Sequence, residues 1–496
     1  VANPISSILI VAILAVVVIV ILTGKLNRAV AALGGALLAI AVMLFIEGKG
    51  FTSIVGYIVG GNVTSSGGLT GDWVNVQAIF LIIGITIIMQ IAQSSGLFQF
   101  FAFNIIKFVG KDARRLLITI DLLSVLMAGL LNSLLSCMIL IPLIALICNI
   151  LSIDAKPYIL SSGIITKLGA TFFSFSSVEN ILISSSEHIP FTEYFLTIGV
   201  IGVILIVPTV TFYYFYYQNK ITNPKGGSVE ILKQFDAFTF IPNKGLLYKS
   251  LTVFIAVIAC FVVIPPTLVS PDIIAITGAA VLLLVSKLNA SEIFAKVNIQ
   301  LVFYLLGIFV ITGALQDVGV INLIGKGFGA ISGGNALATT LVMLWIPAYI
   351  ASVSDPTAIC KIMIPVAGSL AAPLGSGLQR APFVGLNFAC NLGDSLSAMG
   401  DNMVVLSLAT ANKTPCTVKE ITIIGFLTAN LQLFTLTVIF TFTIQPGVNW
   451  VIGVILIAAF FGALAAYMLR QRIVRVIREK AKGKNTPKET TKPVTT

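Results

Sequence analysis

An aspartate, a proline and a lysine interrupt the apolar run "VSDPTAICKIMIP", Val353–Pro365. Charges inside hydrocarbon are costly and mark ion or substrate sites. Asp355 supplies an acceptor for a cation or a proton. Pro356 suits the first turn of a helix that starts there, and Thr357 adds a hydroxyl. Lys361, about one and a half turns further on, is a counter-charge for an acid, a rival of a bound cation, or a partner for an anion. Two more polar stretches sit in apolar surroundings. "NLGDSLSAMGDNMVV" carries Asn391, Asp394, Ser395, Ser397, Asp401 and Asn402. "KLGATFFSFSSVEN" carries Lys167, Thr171, Ser174, Ser176, Ser177, Glu179 and Asn180. The glycines in both argue for broken helices, whose freed carbonyls suit Na⁺ or a proton and whose half-helix N-termini suit anions. Asp355 and Asp394 are the candidate Na⁺ ligands, and no other metal site or cofactor is expected. Asp121 is read as a third member of a charge network with Lys167 and Lys361. Each has a plainer reading: serines bond their own backbone, lysines snorkel, and Asp355 caps a helix. Cys137 and Cys360 would suit a soft solute, though buried cysteine is more often inert. His188, the single histidine, belongs to an outer loop.

The elements that must position these residues follow from composition. The chain has 496 residues, 57% hydrophobic and 10% charged, with mean hydropathy +1.04. About ten apolar runs are long enough to cross a bilayer core, and the alternating strands of a barrel are missing. The first, "ISSILIVAILAVVVIVILTG", lacks a basic lead-in and reads as a span rather than a cleaved signal. The six cysteines show no disulfide or metal spacing.

A repeat fixes the arrangement. "VNVQAIFLIIGITIIMQIAQSSGLF" at Val74 aligns without gaps on "VNIQLVFYLLGIFVITGALQDVGVI" at Val297, an offset of 223 residues. Asn75, Gln77, Phe80, Gly84, Gln93 and Gly96 fall on Asn298, Gln300, Phe303, Gly307, Gln316 and Gly319. The same offset places Asn132 on Asp355, Cys137 on Cys360 and Pro142 on Pro365. Shared Gln, Gly and Pro in register argue for duplication, the plan of many secondary transporters. Residues 1–217 form the first repeat, with a hairpin at 114–150, tip at Asn132–Ser133, and a broken helix at 157–183. Residues 250–445 form the second, with hairpin 337–372 and broken helix 381–407. A linker, 218–249, joins them; an extra transmembrane helix, 446–469, and a basic tail, 470–496, follow. Five crossings per repeat invert the second relative to the first. The expected fold is an all-α polytopic membrane protein, an inverted-repeat transporter. It has about eleven transmembrane helices, two re-entrant hairpins and two broken helices.

With the N-terminus outside, 25 of the 30 basic residues face the cytoplasm, as the positive-inside rule requires. That accounts for the net charge of +11 and removes the motive for a nucleic-acid partner. The location is the cell membrane, multi-pass, with a cytoplasmic C-terminus.

"GKLNRAVAALGGALL", the arm "LFQFF…GKDARRLL", the hairpin ending in Pro142 and "LGATFFSFSSVENILI" resemble the ion transporter superfamily. Within it they resemble the branch of arsenite permeases, NhaD-type sodium/proton antiporters and the melanocyte P-protein. The resemblance implies a homodimer whose transport part moves against a scaffold part. Gly169, Thr171 and Asn180 match the branch's "NxGGTATxxGDPPN". Lys167 replaces its first Asn, and Ser176–Glu179 replaces "GDPP". The tips carry Asn132–Ser133 and Asp355–Pro356 where the branch often has "DN". Of the Ser-Asn-Thr of the related dicarboxylate carriers only Thr357 remains. The expected function is secondary active transport of a small ion or oxyanion, arsenite-type export first, coupled to a proton or sodium gradient. A sodium/proton antiporter, a di- or tricarboxylate carrier and a passive anion channel are the alternatives. The chain carries no hydrolase or protease motif and no P-loop, so it is not expected to be an enzyme, and ATP-driven pumping would need a separate ATPase subunit.

Overall fold

The computed structural model describes residues 3–23, 26–59, 73–107, 112–224, 243–375 and 377–444. Val1–Leu433 forms one compact unit, and Phe434–Thr496 a second, described as far as the end of its first helix. The expected extra transmembrane helix at 446–469, the tail, and most of the linker lie outside the described residues, as do residues 60–72.

Every regular element among the described residues is helical. The first half runs α1 (Pro4–Thr23), α2 (Arg28–Phe45), the short α3 (Phe51–Val59), α4 (Val76–Ser94) and α5 (Leu97–Lys107). Then come α6 (Ala113–Leu130), α7 (Ser133–Leu151), α8 (Lys156–Gly169) and α9 (Val178–Ser186). It closes with α10 (Phe191–Tyr194), a π-helical turn (Phe195–Gly199) and α11 (Val200–Tyr217). The second half repeats the order: α12 (Lys244–Val263), α13 (Pro271–Ser286), the short α14 (Ala290–Lys296), α15 (Ile299–Asp317) and α16 (Val320–Ser332). It continues with α17 (Ala336–Val353), α18 (Pro356–Ala371), α19 (Ala381–Gly393), α20 (Asp401–Ala411) and α21 (Val418–Ile444). Counting α10 to α11 as one, nine of these are long and apolar enough to cross a membrane among the described residues. The short helices α3 and α14 were not anticipated. They occupy equivalent places in the two halves and are too short and too weakly patterned to stand out as spans.

The matched residues of the repeat have backbone tasks. Asn75 and Asn298 cap α4 and α15, accepting from the Ala78 and Leu301 amides at 2.9 and 3.0 Å. Such a cap satisfies an N–H that hydrocarbon cannot. Gly96 and Gly319 end the same helices at φ of 78° and 79°, a region that glycine enters without a Cβ clash. Gly84 and Gly307 are crossing points. A Cβ at Gly84 would lie 2.7 Å from the Ala275 carbonyl carbon, and one at Gly307 2.5 Å from that of Ala32. Each half therefore lays its third span against the second span of the other half: α4 on α13, and α15 on α2.

The two hairpins turn back on themselves. The Tyr158 hydroxyl, at the start of α8, donates to the Ala113 carbonyl at the start of α6, 3.2 Å away. Near its far end, Gly169 lies against the backbone of Val125. Helices α6 and α8 therefore run parallel, and α7 between them returns the chain to its side of origin. The second half does the same, with Gly385 of α19 against the Thr340 carbonyl and Gly393 against that of Ala348 on α17. Pro142 and Pro365 sit inside the returning arms α7 and α18.

Candidate functional site

Each broken helix is closed by an asparagine. Asn180 donates its amide to the Ala170 and Phe173 carbonyls at 2.7 and 2.8 Å. Asn402 donates to the Asp394 and Ser397 carbonyls at 3.2 and 2.6 Å. One side chain thus satisfies two carbonyls that a break leaves open, at matching places in the two repeats. Thr171 bonds back to the Leu168 carbonyl at 2.8 Å, and Ser176 to that of Gly129. Ser397 donates to the Ser352 carbonyl at 2.5 Å. Ser395 is buried with no partner for its hydroxyl among the described residues. Asn391 lies in the last turn of α19 rather than in the break, and with Asn387 it donates to the Asn180 side-chain oxygen, each at 2.9 Å.

Four half-helices begin at this level. Asn132 caps α7 through the Leu135 amide at 2.8 Å, and Ser177 caps α9 through that of Asn180 at 3.2 Å. Asp355 caps α18 through the Thr357 and Ala358 amides at 2.9 and 3.2 Å. Helix α20 starts after Gly400, at φ 60°. Each hairpin tip reaches the second half of the other repeat's broken helix. The Ser133 hydroxyl donates to Asp401 at 2.7 Å, and the Thr357 hydroxyl to Glu179 at 2.7 Å.

Lys167 adds the asymmetry. Its ammonium bonds Asp394 and lies 2.6 Å from Asp401 and 3.5 Å from the Ser133 oxygen. The Lys167 side chain is 4% exposed, those of Asp394 and Asp401 13% and 33%. An ammonium held by two carboxylates at this burial is a buried ion triad, which is demanding to desolvate and costly to break. Asp401 is thus tied to Lys167 while part of its side chain faces the cavity described next. Gly400, at φ 60°, turns the chain between the two aspartates that reach one lysine.

A cavity of about 230 Å³ is lined by some of these groups, with Asp401 and Ser133 shared with the Lys167 cluster. Asn132, Ser133, Ser177, Glu179, Thr357 and Asp401 line its inner part; Arg28, Lys296 and Asn298 line it toward the surface. Arg28 also stands 3.8 Å from Asp355 and over the Tyr304 ring at 5.7 Å. Arg28 and Lys296 were read only as markers of orientation. Position at a membrane face gives basic residues that default role, and only the fold shows them at a cavity mouth. A smaller pocket of about 100 Å³ lies on the His188 side, and Phe175 lines both.

Four residues singled out in the sequence stand apart. Lys361 packs over the Phe309 ring at 4.5 Å, a cation–π contact, rather than beside an acid. Asp121 is buried on α6, away from the triad. Neither cysteine lines the cavity: Cys137 faces the Thr166 hydroxyl at 3.4 Å, and Cys360 the Glu179 carbonyl at 3.7 Å.

Known proteins share this plan. The sequence profile described as "citrate transporter" matches residues 18–386, and again residues 269–482. An uncharacterized transporter of Mycobacterium tuberculosis is 26% identical over 354 residues, 71% of this chain and 81% of the relative. The arsenical pump membrane protein of Escherichia coli is 22% identical over 344 residues, 67% of this chain and 78% of that one. Among solved structures, the Alcanivorax borkumensis YdaH transporter, described as having an unusual topology, superposes with a TM-score of 0.53. It does so at 13% identity, over 79% of this chain and 87% of that chain.

Proposed function

The chain belongs to the citrate transporter family, and on that footing we propose that it moves a small multivalent anion by alternating access, driven by protons rather than sodium. The observation that carries this reading is the Lys167 ammonium between Asp394, Asp401 and Ser133. It occupies the meeting point of a tip and a break, where such transporters seat a coupling cation. One ammonium already occupies the seat between the two carboxylates that a sodium ion would need, and compensates one of their two charges.

The cavity supports an anion. Arg28 and Lys296 line its mouth, and the capped starts of α7, α9 and α18 bring partial positive charge to its wall. Glu179 and Asp401 in the same wall oppose an anion while ionised. Protonating either one favours substrate binding, and by linkage substrate binding favours protonation. That reciprocity couples anion and proton movement without further machinery. In the membrane the reading has the N-terminus outside and the protein working as a homodimer.

A second reading, arsenite-type oxyanion export, is favoured by the Escherichia coli arsenical pump relative. It is weakened by the two thiols, which do not line the cavity. One assay separates the readings. Proteoliposomes are loaded or challenged with citrate, malate, phosphate and arsenite under an imposed pH gradient, with sodium or choline as the only other cation. A carboxylate anion that accumulates with the pH gradient in choline is the expected result. Strict sodium dependence, transport of arsenite alone, or conduction without coupling would each reject the proposal.

A further inference from the structure

Asp121 is fully buried, and neither carboxyl oxygen has a hydrogen-bond partner among the described residues. The hydroxyl of Ser161 lies beside it but donates to the Tyr158 carbonyl at 3.3 Å. Ser124 and Ser162 nearby satisfy one another at 2.7 Å. A permanently ionised carboxylate cannot persist in such a place, because nothing repays its desolvation. The second repeat has Leu344 at the equivalent position, so the architecture of the hairpin does not require an acid here.

The surroundings bring three phenols near it. Helices α7, α8 and α11 pack around α6. The titratable side chains they bring within electrostatic reach of Asp121 are Tyr158 on α8 and Tyr213 and Tyr217 on α11; Cys148 of α7 lies next to Tyr158. Among described side chains α5 brings none. Tyr213 is engaged by the Thr428 hydroxyl at 3.1 Å. The Tyr217 hydroxyl is buried and has no hydrogen-bond partner among the described residues. Tyr217 also lines a separate cavity of about 390 Å³, with Lys156, Lys220, Lys419 and Glu420 around it. These lysines, with Glu420 and Asp154 beside them, belong to the face that the charge distribution predicts to be cytoplasmic. No residue of this cavity lines the anion cavity described above.

We propose that Asp121 is a proton-binding site distinct from the Lys167 triad, loaded from the cytoplasmic face through the Tyr217 cavity. Hydronium in that cavity gives its proton to the Asp121 carboxylate, leaving water and a neutral acid, and the reverse step empties the site. The site lies on the first arm of the hairpin whose tip carries Asn132 and Ser133 at the anion cavity. The charge state of Asp121 therefore acts on the element that must move with substrate. This rests on the proton-driven reading above.

The test compares wild type with Asp121→Asn and Tyr217→Phe in proteoliposomes. Three quantities are read: pH-gradient-driven uptake, substrate-for-substrate exchange at equal pH, and the carboxylic acid C=O stretch by difference infrared spectroscopy. Asp121→Asn is expected to lose gradient-driven accumulation by tenfold or more while retaining exchange, and to lose one pH-sensitive C=O band. Tyr217→Phe is expected to retain the band and to slow proton-driven uptake several-fold. Retained exchange certifies that the variants are folded. Full gradient-driven accumulation by Asp121→Asn, or an unchanged infrared spectrum, overturns this proposal alone. Wild type that transports without any response to pH overturns the parent reading, and is recognised because all three proteins then behave alike.

Discussion

At Lys167 two carboxylates from one broken helix meet a lysine from the other. Without the ammonium, Asp394 and Asp401 would stand as uncompensated neighbours in a low-dielectric setting, where removing one partner of a buried pair costs on the order of 3–5 kcal/mol. Lys167→Ala should therefore unfold at a clearly lower temperature than wild type in choline. The same substitution vacates a seat formed by two carboxylates and the Ser133 hydroxyl, which suits a hard cation. Sodium should consequently raise the melting temperature of Lys167→Ala by several degrees and leave wild type unmoved. Equal responses of both proteins in a thermal melt would show that the lysine does not stand in for a cation. Much of this chemistry was legible in the sequence, because Lys167, Asp394 and Asp401 are charges in apolar surroundings and carry their own signal. Their pairing was not, since it depends on how two distant breaks are brought together. Lys361 and Asp121 carried the same signal, yet the fold gives each a separate environment.

Among the elements, the paired crossings at Gly84 and Gly307 hold the two halves together. A Cβ at either position would fall 2.5–2.8 Å from main-chain atoms of the facing helix, and backbone cannot step aside as a flexible side chain can. Gly84→Ala and Gly307→Ala should each lower stability by about 1–3 kcal/mol, the usual range for overpacking a tight contact. Because the contacts are equivalent, the two losses should be similar. Thermal unfolding in detergent checks this, with Gly34→Ala as a control, since a Cβ there meets nothing within 4 Å. A Gly84 or Gly307 variant as stable as that control would count against the crossing. The hairpins and breaks could be read from residue types alone: Gly, Pro, Ser and Asn are expensive in a lipid-facing helix, so their clusters locate the interruptions. The exchange of α4 and α15 between halves could not, because apolar periodicity does not say which helix meets which.

On the scale of the whole molecule, the cavity is built unequally from the two repeats. The first repeat gives its tip, Asn132–Ser133, and its break from Phe175 to Glu179; the second gives Thr357 and Asp401. An inverted repeat implies a second state in which the halves exchange these roles and the cavity faces the other side. Phe175 lies between the two openings. It lines both the cavity and the opposite pocket, with its ring stacked 5.6 Å from Phe173 and 5.9 Å from Phe191 and from Phe261. In the proposed cycle, joining the two openings requires these stacked contacts to part together. Ser133→Cys, placed in a background without native cysteines, reports on this step. A membrane-impermeant maleimide should label it from the side of Arg28 and Lys296 in the absence of a gradient. Labelling from the His188 side should appear only when substrate and protons drive the exchange. Adding Phe175→Ala should allow labelling from both sides at once, because the deleted ring joins the two openings. If Ser133→Cys alone is labelled equally from both sides at rest, the pathway is a pore and not an alternating one. In that case the symmetry of the fold would have to serve something other than transport by exchange of states.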